Sequence, residues 1–170
     1  TLRQQIFMSQ QRKVIVTGGA GFIGSHTVVE LAAAGYTPVI VDNFSNSQEK
    51  VLERLEELVG HEVKTHRVDC TDKAALQAIF KAEGQIEGVI HFAAFKAVGE
   101  SVAEPLKYYR NNVGSIVTLL EVMDEYSVSN LVFSSSCTVY GQPDQLPVTE
   151  ETPMAAPQSP YGHTKQICEA

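Results

Sequence analysis

Tryptophan is absent from this sequence, cysteine occurs three times, and thirteen lysines and arginines face twenty aspartates and glutamates. The thiols of Cys70, Cys137 and Cys168 are odd in number and lack paired metal-ligand spacing. Neither a disulfide framework nor a metal site is therefore expected, and a reducing compartment, the cytoplasm, fits best. A net charge of -7 withholds the general basic surface on which nonspecific nucleic-acid or anionic-membrane binding depends, so neither partner is expected. No apolar run reaches the roughly 18 residues of a membrane span, and the first residues lack an apolar signal-peptide core. The seven residues before Met8 read as an upstream extension. The periodic pattern begins only at Lys13, which leaves residues 1–12 as a tail.

What is present is a regular alternation, in a chain long enough, at 44% hydrophobic residues, to bury one core. Val14 to Val16 is a short β-branched run, Phe22 to Ala34 has helical spacing and stops at Gly35, and Thr37 to Val41 is a second strand. Gln48 to Val59 then reads as helix, Glu62 to Val68 as strand, Asp72 to Ala82 as helix and Gly88 to Phe92 as a buried strand. Pro105 to Tyr126 has the spacing of one long helix, and Asn130 to Phe133 makes a fifth strand. Pro143, Pro147, Pro153, Pro157 and Pro160 make residues 141–160 an irregular surface segment, after which a new helix opens at Tyr161. Such alternation predicts an α/β fold, a doubly wound parallel sheet of Rossmann type covered by helices on both faces.

Between the first strand and first helix lies TGGAGFIG, Thr17 to Gly24. In that position glycines form a dinucleotide turn. Gly18 permits the tight bend, Gly21 admits phosphates close to the backbone, and Gly24 lets helix pack on strand, while N–H groups around Phe22 and Ile23 face the anion. The spacing is GxxGxxG, not GxGxxG, and a purely structural turn can share it. Asp42, at the end of the second strand, can accept from ribose hydroxyls and would repel a 2′-phosphate, which favours NAD over NADP. The lesser alternative is a strand-end aspartate that caps the following helix. Asp69, at the end of the third strand, can meet an adenine edge or simply form a turn.

Near the other end, Tyr161 and Lys165 stand four residues apart, one helical turn, and so share a face. A phenol ordinarily ionises near pH 10, so a tyrosine acting as base at neutral pH needs a cation beside it, and a lysine at this spacing can be that cation. Ser134, Ser135 and Ser136 follow the fifth strand, at the carboxyl ends where ligands bind in open sheets. A hydroxyl from this run can orient a substrate oxygen, although at least one should serve the turn. Asn111, in the long helix, can reach the same region or face solvent.

Taken together, TGGAGFIGSH, VDNFSNS, HFAAFKAVGES, YYRNNV, SSSCTVYG and PQSPYGHTK resemble the extended short-chain dehydrogenase/reductase family, within it the branch that epimerises UDP-hexoses, over Lys13 to Ala170. The resemblance implies that Gly18, Gly21, Phe22, Ile23 and Gly24 hold the NAD pyrophosphate, and that Asp42, Asn43 and Asn46 serve the adenosine ribose and phosphates. It places Asp69 and Cys70 at the adenine. Phe92, Ala93, Ala94, Lys96, Asn111 and Ser134 would line the cofactor, with Lys96 also reaching substrate. Ser136 would bind the sugar hydroxyl, Tyr161 would be the base, and Lys165 would hold the nicotinamide ribose and assist the tyrosine.

The reaction implied is transient oxidation at sugar C4, with the hydride returned to the opposite face, interconverting UDP-glucose and UDP-galactose. Alternatives are another nucleotide-sugar epimerase, acting on N-acetylated or uronic sugars, or a noncatalytic NAD-sensing module. Ala94 stands where glycine is common, and Cys137 where alanine is. Dehydratase relatives carry an acidic pair near Cys137 and Thr138, and its absence disfavours dehydration. Members of the family are about twice this length and commonly dimerise through helices beginning near Ser101 and Tyr161. The sequence therefore reads as the NAD-binding half, residues 13–170, stopping just after the catalytic helix begins, inactive by itself and part of a homodimer when whole.

Overall fold

The structure, a computed structural model, describes residues 12–170. Five parallel strands, β1 (Lys13–Thr17), β2 (Thr37–Asp42), β3 (Thr65–Arg67), β4 (Ile86–His91) and β5 (Leu131–Phe133), lie in the order β3-β2-β1-β4-β5. The chain runs outward from β1 to β3, then crosses back to place β4 on the other side of β1. The order thus reverses between β1 and β4, the point where open α/β sheets bind ligands beyond the carboxyl ends of their strands. Helices α1 (Phe22–Ala33), α2 (Lys50–Val59) and α3 (Lys73–Glu83) connect the first four strands. Between β4 and β5 come α4 (Val98–Ala103), α5 (Pro105–Tyr108), a π-helical turn (Tyr109–Val113) and α6 (Gly114–Glu125), and the chain ends in α7 (Pro160–Glu169).

The period-two geometry of a strand divides the core between the sheet's two faces. Val14, Val16 and Ile40 meet Val28 of α1 and Leu55 of α2, whereas Ile15, Val39, Val41 and Val89 meet Leu76 and Phe80 of α3 and Leu119 and Val122 of α6. Because β1 is buried on both faces, its β-branched run carries no polar alternation.

Two elements differ from the sequence reading. Expected over Glu62 to Val68, β3 keeps only Thr65–Arg67, since it is an edge strand that pairs with β2 at three positions before the backbone turns at Asp69. The long helix expected from Pro105 is interrupted by the π turn, which adds a residue per turn and lets successive asparagines face different environments. Helix α4 carries no strong periodic signal of its own and begins three residues before Ser101, near which the resemblance implied a helix. Most of the tail expected over residues 1–12 lies outside the described residues. Arg12, just before β1, is tied to the sheet: its carbonyl accepts from the Thr37 N–H at 3.0 Å, and its guanidinium binds Glu87 at 2.6 and 2.8 Å.

Candidate functional site

Beyond the carboxyl ends of the strands opens a crevice of about 330 Å³, whose lining comes from both ends of the chain. Gly18, Gly21, Phe22, Ile23 and Gly24 form one wall. Gly18 sits at φ +67°, where a side chain would be strained, and a Cβ at Gly24 would lie 2.2 Å from the Gly18 carbonyl oxygen. The turn therefore packs helix against strand as only glycine allows. No side chain caps the amino end of α1, and its first turn holds no acidic residue. Its N–H groups and the positive end of the helix dipole are left for an anion.

At the β2 end, Asp42 is buried and binds three residues of two segments: Oδ2 accepts from the Ala20 N–H at 3.1 Å, and Oδ1 from the Phe44 N–H at 2.8 Å and the Ser47 hydroxyl at 3.0 Å. It does not cap α2, whose preceding residue is Glu49; instead it shapes the loop that carries Asn43 and Asn46 into the lining. Asn43 donates to Asp69 at 2.8 Å, and Asp69 also accepts from the Thr71 N–H and hydroxyl. Asp69 thus forms a turn and lines the crevice at once. Desolvation works against its ionisation, yet the bonds from Thr71 and Asn43 prevail and hold the carboxyl below its ordinary range. Burial, reinforced by the charges of Asp69 and Asp42, pushes the neighbouring Cys70 thiol up to about 12, so Cys70 is a neutral thiol beside the two carboxylates.

The opposite wall is the segment after β4, with Phe92, Ala93, Ala94 and Lys96 in the lining and Lys96 exposed. What fixes this segment is Asn112, which the sequence reading passed over in favour of Asn111. Asn112 is buried in the π turn, accepts from the Phe95 N–H at 2.9 Å, donates to the Phe95 carbonyl at 2.9 Å and reaches Thr164 of α7 at 3.1 Å. Asn111 lines the crevice and donates to Asn112 at 3.0 Å. A doubled asparagine inside a helix was the only trace of this in the sequence.

Ser159 caps α7, accepting from the Gly162 N–H at 3.1 Å, and Pro160 occupies the first turn. This helix delivers Tyr161 and Lys165, both buried, to the crevice that the glycine turn lines. The Tyr161 ring packs edge-on against Tyr108, whose own hydroxyl is held by Glu100 at 2.6 Å. Among the described residues no hydrogen bond engages the Tyr161 hydroxyl. Lys165 donates to the Ser134 carbonyl at 2.7 Å and lies 4.6 Å over the Phe133 ring. Desolvation holds its ammonium below the ordinary lysine value.

The three serines divide their work. Ser134 and Ser135 line the crevice, and the Ser135 hydroxyl is buried without a hydrogen-bond partner. Ser136 stands outside the lining; its hydroxyl caps the short turn Cys137–Tyr140, accepting from the Thr138 N–H at 3.3 Å and hydroxyl at 3.0 Å.

The crevice thus combines an uncapped helix end for anions, acidic and amide groups at the β2 edge, and an unengaged phenol one turn from a buried ammonium. Those groups fit a dinucleotide with an alcohol beside it. Ser45, Ser47, Phe95 and Ser115 also line it; the first three lie inside the quoted runs VDNFSNS and HFAAFKAVGES without having been singled out, and Ser115 lies in none. Among the described residues no three metal-ligating side chains assemble, and no helix is long and apolar enough to cross a membrane.

Residues 15–170 match the family model described as GDP-mannose 4,6 dehydratase. The chain is 55% identical over 157 residues to UDP-glucose 4-epimerase of Dictyostelium discoideum, covering 92% of this chain and 45% of that protein. To UDP-glucose 4-epimerase of Mus musculus it is 52% identical over 163 residues, with 92% and 47% covered. The crystal structure of UDP-glucose 4-epimerase from Bifidobacterium longum in complex with NAD+ and UDP superposes with a TM-score of 0.89 at 50% identity, over 92% of this chain and 47% of that one. The enzyme from Brucella ovis in complex with NAD gives 0.84 at 42% identity, over 93% and 46%. The chain therefore spans a little under half the length of these relatives.

Proposed function

The chain belongs to the GDP-mannose 4,6 dehydratase family, within the extended short-chain dehydrogenases/reductases, and on that premise we propose that its crevice holds NAD and that the whole protein epimerises a UDP-hexose at C4. The observation that carries the reading is the meeting of Tyr161 and Lys165 with the glycine turn in one crevice. NAD supplies, when bound, a ring that accepts and returns a hydride.

In this reading residues 13–170 are the NAD-binding domain. The amino end of α1 binds the pyrophosphate, and the loop shaped by Asp42 receives the adenosine side. As a phenolate, Tyr161 takes the proton from the sugar 4-OH, and the phenol so formed later gives it back. Lys165, one helical turn from Tyr161 and in the same crevice, is the cation that stabilises the phenolate, and burial strengthens such an attraction. Ser136 donates to the sugar oxygen, since its hydroxyl only accepts from Thr138 and keeps its own proton. Cys137, Thr138 and Val139 offer no carboxylate to remove a second proton, which favours epimerisation over loss of water. The relatives named UDP-glucose 4-epimerase support this choice of reaction.

The whole protein acts as a cytoplasmic homodimer. Exposed Val102 and Leu106, 63% and 74% accessible on α4 and α5, supply apolar surface for that contact. The test is an assay of the whole protein with UDP-galactose and UDP-glucose, with NAD measured after denaturation. Interconversion without added cofactor and one NAD per chain is expected. A preparation that retains no NAD, or that consumes UDP-glucose to a dehydrated product, would overturn the reading.

A further inference from the structure

Beneath the crevice lies a buried imidazole that none of the roles above uses. His91 ends β4 and is 2% exposed. Its Nδ1 lies 2.7 Å from the Thr17 hydroxyl and its Nε2 3.5 Å from the Ser115 hydroxyl. The Ala93 N–H, which can only donate, reaches Thr17 Oγ1 at 3.4 Å, and the Asn112 carbonyl, which can only accept, takes the Ser115 hydroxyl at 3.2 Å. The Ser115 end fixes the polarity: with its only proton given to Asn112, Ser115 can only accept from Nε2–H, so in a neutral ring Nδ1 accepts the Thr17 proton, while the Ala93 N–H meets a Thr17 lone pair. The Cys70 thiol also lies beside Thr17 but is the weaker acceptor.

We propose that His91 is a positioning residue, a neutral Nε2–H imidazole whose directional row of hydrogen bonds sets the spacing between the glycine turn and the α6 wall of the NAD crevice. The inference rests on the NAD reading above. Thr17 immediately precedes Gly18, Ala93 and Ser115 are both in the lining, and Asn112 anchors the segment between them, so one side chain ties three walls together. Phe133 stacks on His91 at 6.1 Å and also lies under Lys165 at 4.6 Å. A second cation at this point would reverse the Thr17 bond and repel Lys165. Desolvation, with the charge of Lys165 adding to it, keeps the imidazole at about 4, so the row stays intact across neutral pH.

Nitrogen-15 NMR of histidine-labelled protein, with His91 assigned by its loss in His91→Asn, reads the tautomer directly. A neutral Nε2–H ring unchanged from about pH 5 to 8 is expected, against an ordinary histidine midpoint near 6.5. An Nδ1–H tautomer, or titration near the ordinary value, overturns the proposal. In the second arm NAD affinity is measured by calorimetry. His91→Leu removes both bonds and should weaken binding about tenfold, and His91→Asn, which keeps an acceptor for Thr17, should recover to within about threefold, as expected for one hydrogen bond. Equal affinities in all three proteins, or loss in Asn as deep as in Leu, count against it. If the unaltered protein binds no NAD, the proposed function fails, and the row is then judged by the NMR alone.

Discussion

At the amino edge of the sheet the Glu83 carboxylate is shut away from solvent and met by Lys13 at 3.1 Å, Lys64 at 2.8 Å and His66 at 2.8 Å. At the carboxyl edge the Tyr161 hydroxyl has no partner among the described residues, the Ser135 hydroxyl is unpaired and no side chain caps α1. Both edges bury polar groups and both draw on strand ends and helix ends. The difference lies in saturation. Three donors close on one carboxylate at the amino edge, which ties β1, β3 and α3 together and offers nothing to a ligand. Across the sheet, donors and acceptors are held in place by neighbours such as Asp42, Asn112 and Glu100 but keep a face turned to the crevice. Groups positioned from behind and free in front are what a binding site requires.

Substitutions at each edge should separate activity from stability. Tyr161→Phe removes only the proton carrier, so the whole protein should lose about 10³-fold in turnover while its thermal midpoint and NAD content stay unchanged. Parallel loss of NAD would mean that the phenol is structural. Gly24→Ala drives a methyl into the Gly18 carbonyl and should destabilise by about 3 kcal/mol, with NAD binding abolished; denaturant titration and calorimetry check the two effects. Glu83→Gln discharges the amino-edge cluster and should cost about 2 kcal/mol with NAD affinity unaltered. A change in that affinity would break the division between the edges.

The same carboxylate sets a pH dependence. Burial opposes ionisation of Glu83, but bonds from Lys64, His66 and Lys13 prevail and hold it at about 2. Because its value is depressed on folding, the stabilisation is complete above the unfolded carboxylate's value, about 4.3, and is lost as pH falls toward 2. Acid unfolding of Glu83→Gln should accordingly be flatter over that window than that of the unaltered protein. The smallest effect is expected at Asp72, whose side chain caps α3 through the Ala75 N–H at 3.0 Å; Asp72→Ala should cost about 1 kcal/mol and leave activity as it was.

Much of this was legible in advance where information is local. The glycine turn announces itself because only glycine tolerates the φ of Gly18 and the contact at Gly24, and the pair Tyr161 and Lys165 because helical pitch turns a spacing of four into a shared face. Residues whose work depends on distant partners were less legible. Asp42 has the same sequence context whether it caps a helix or gathers Ala20, Phe44 and Ser47. Asn112 differs from Asn111 only through a π turn that no periodicity signals. His91 reads as one more polar residue at a strand end until Thr17 and Ser115 are seen on either side of it.

By itself the sequence determined the alternation of strand and helix, the bend after β1 and the face shared by Tyr161 and Lys165, since each follows from steric and periodic rules acting within a few residues. Tertiary structure alone decided the strand order β3-β2-β1-β4-β5, and with it the encounter of the chain's two ends in one crevice. That encounter depends on burying both faces of β1 and on which strands then flank it, a matter of packing between segments far apart along the chain.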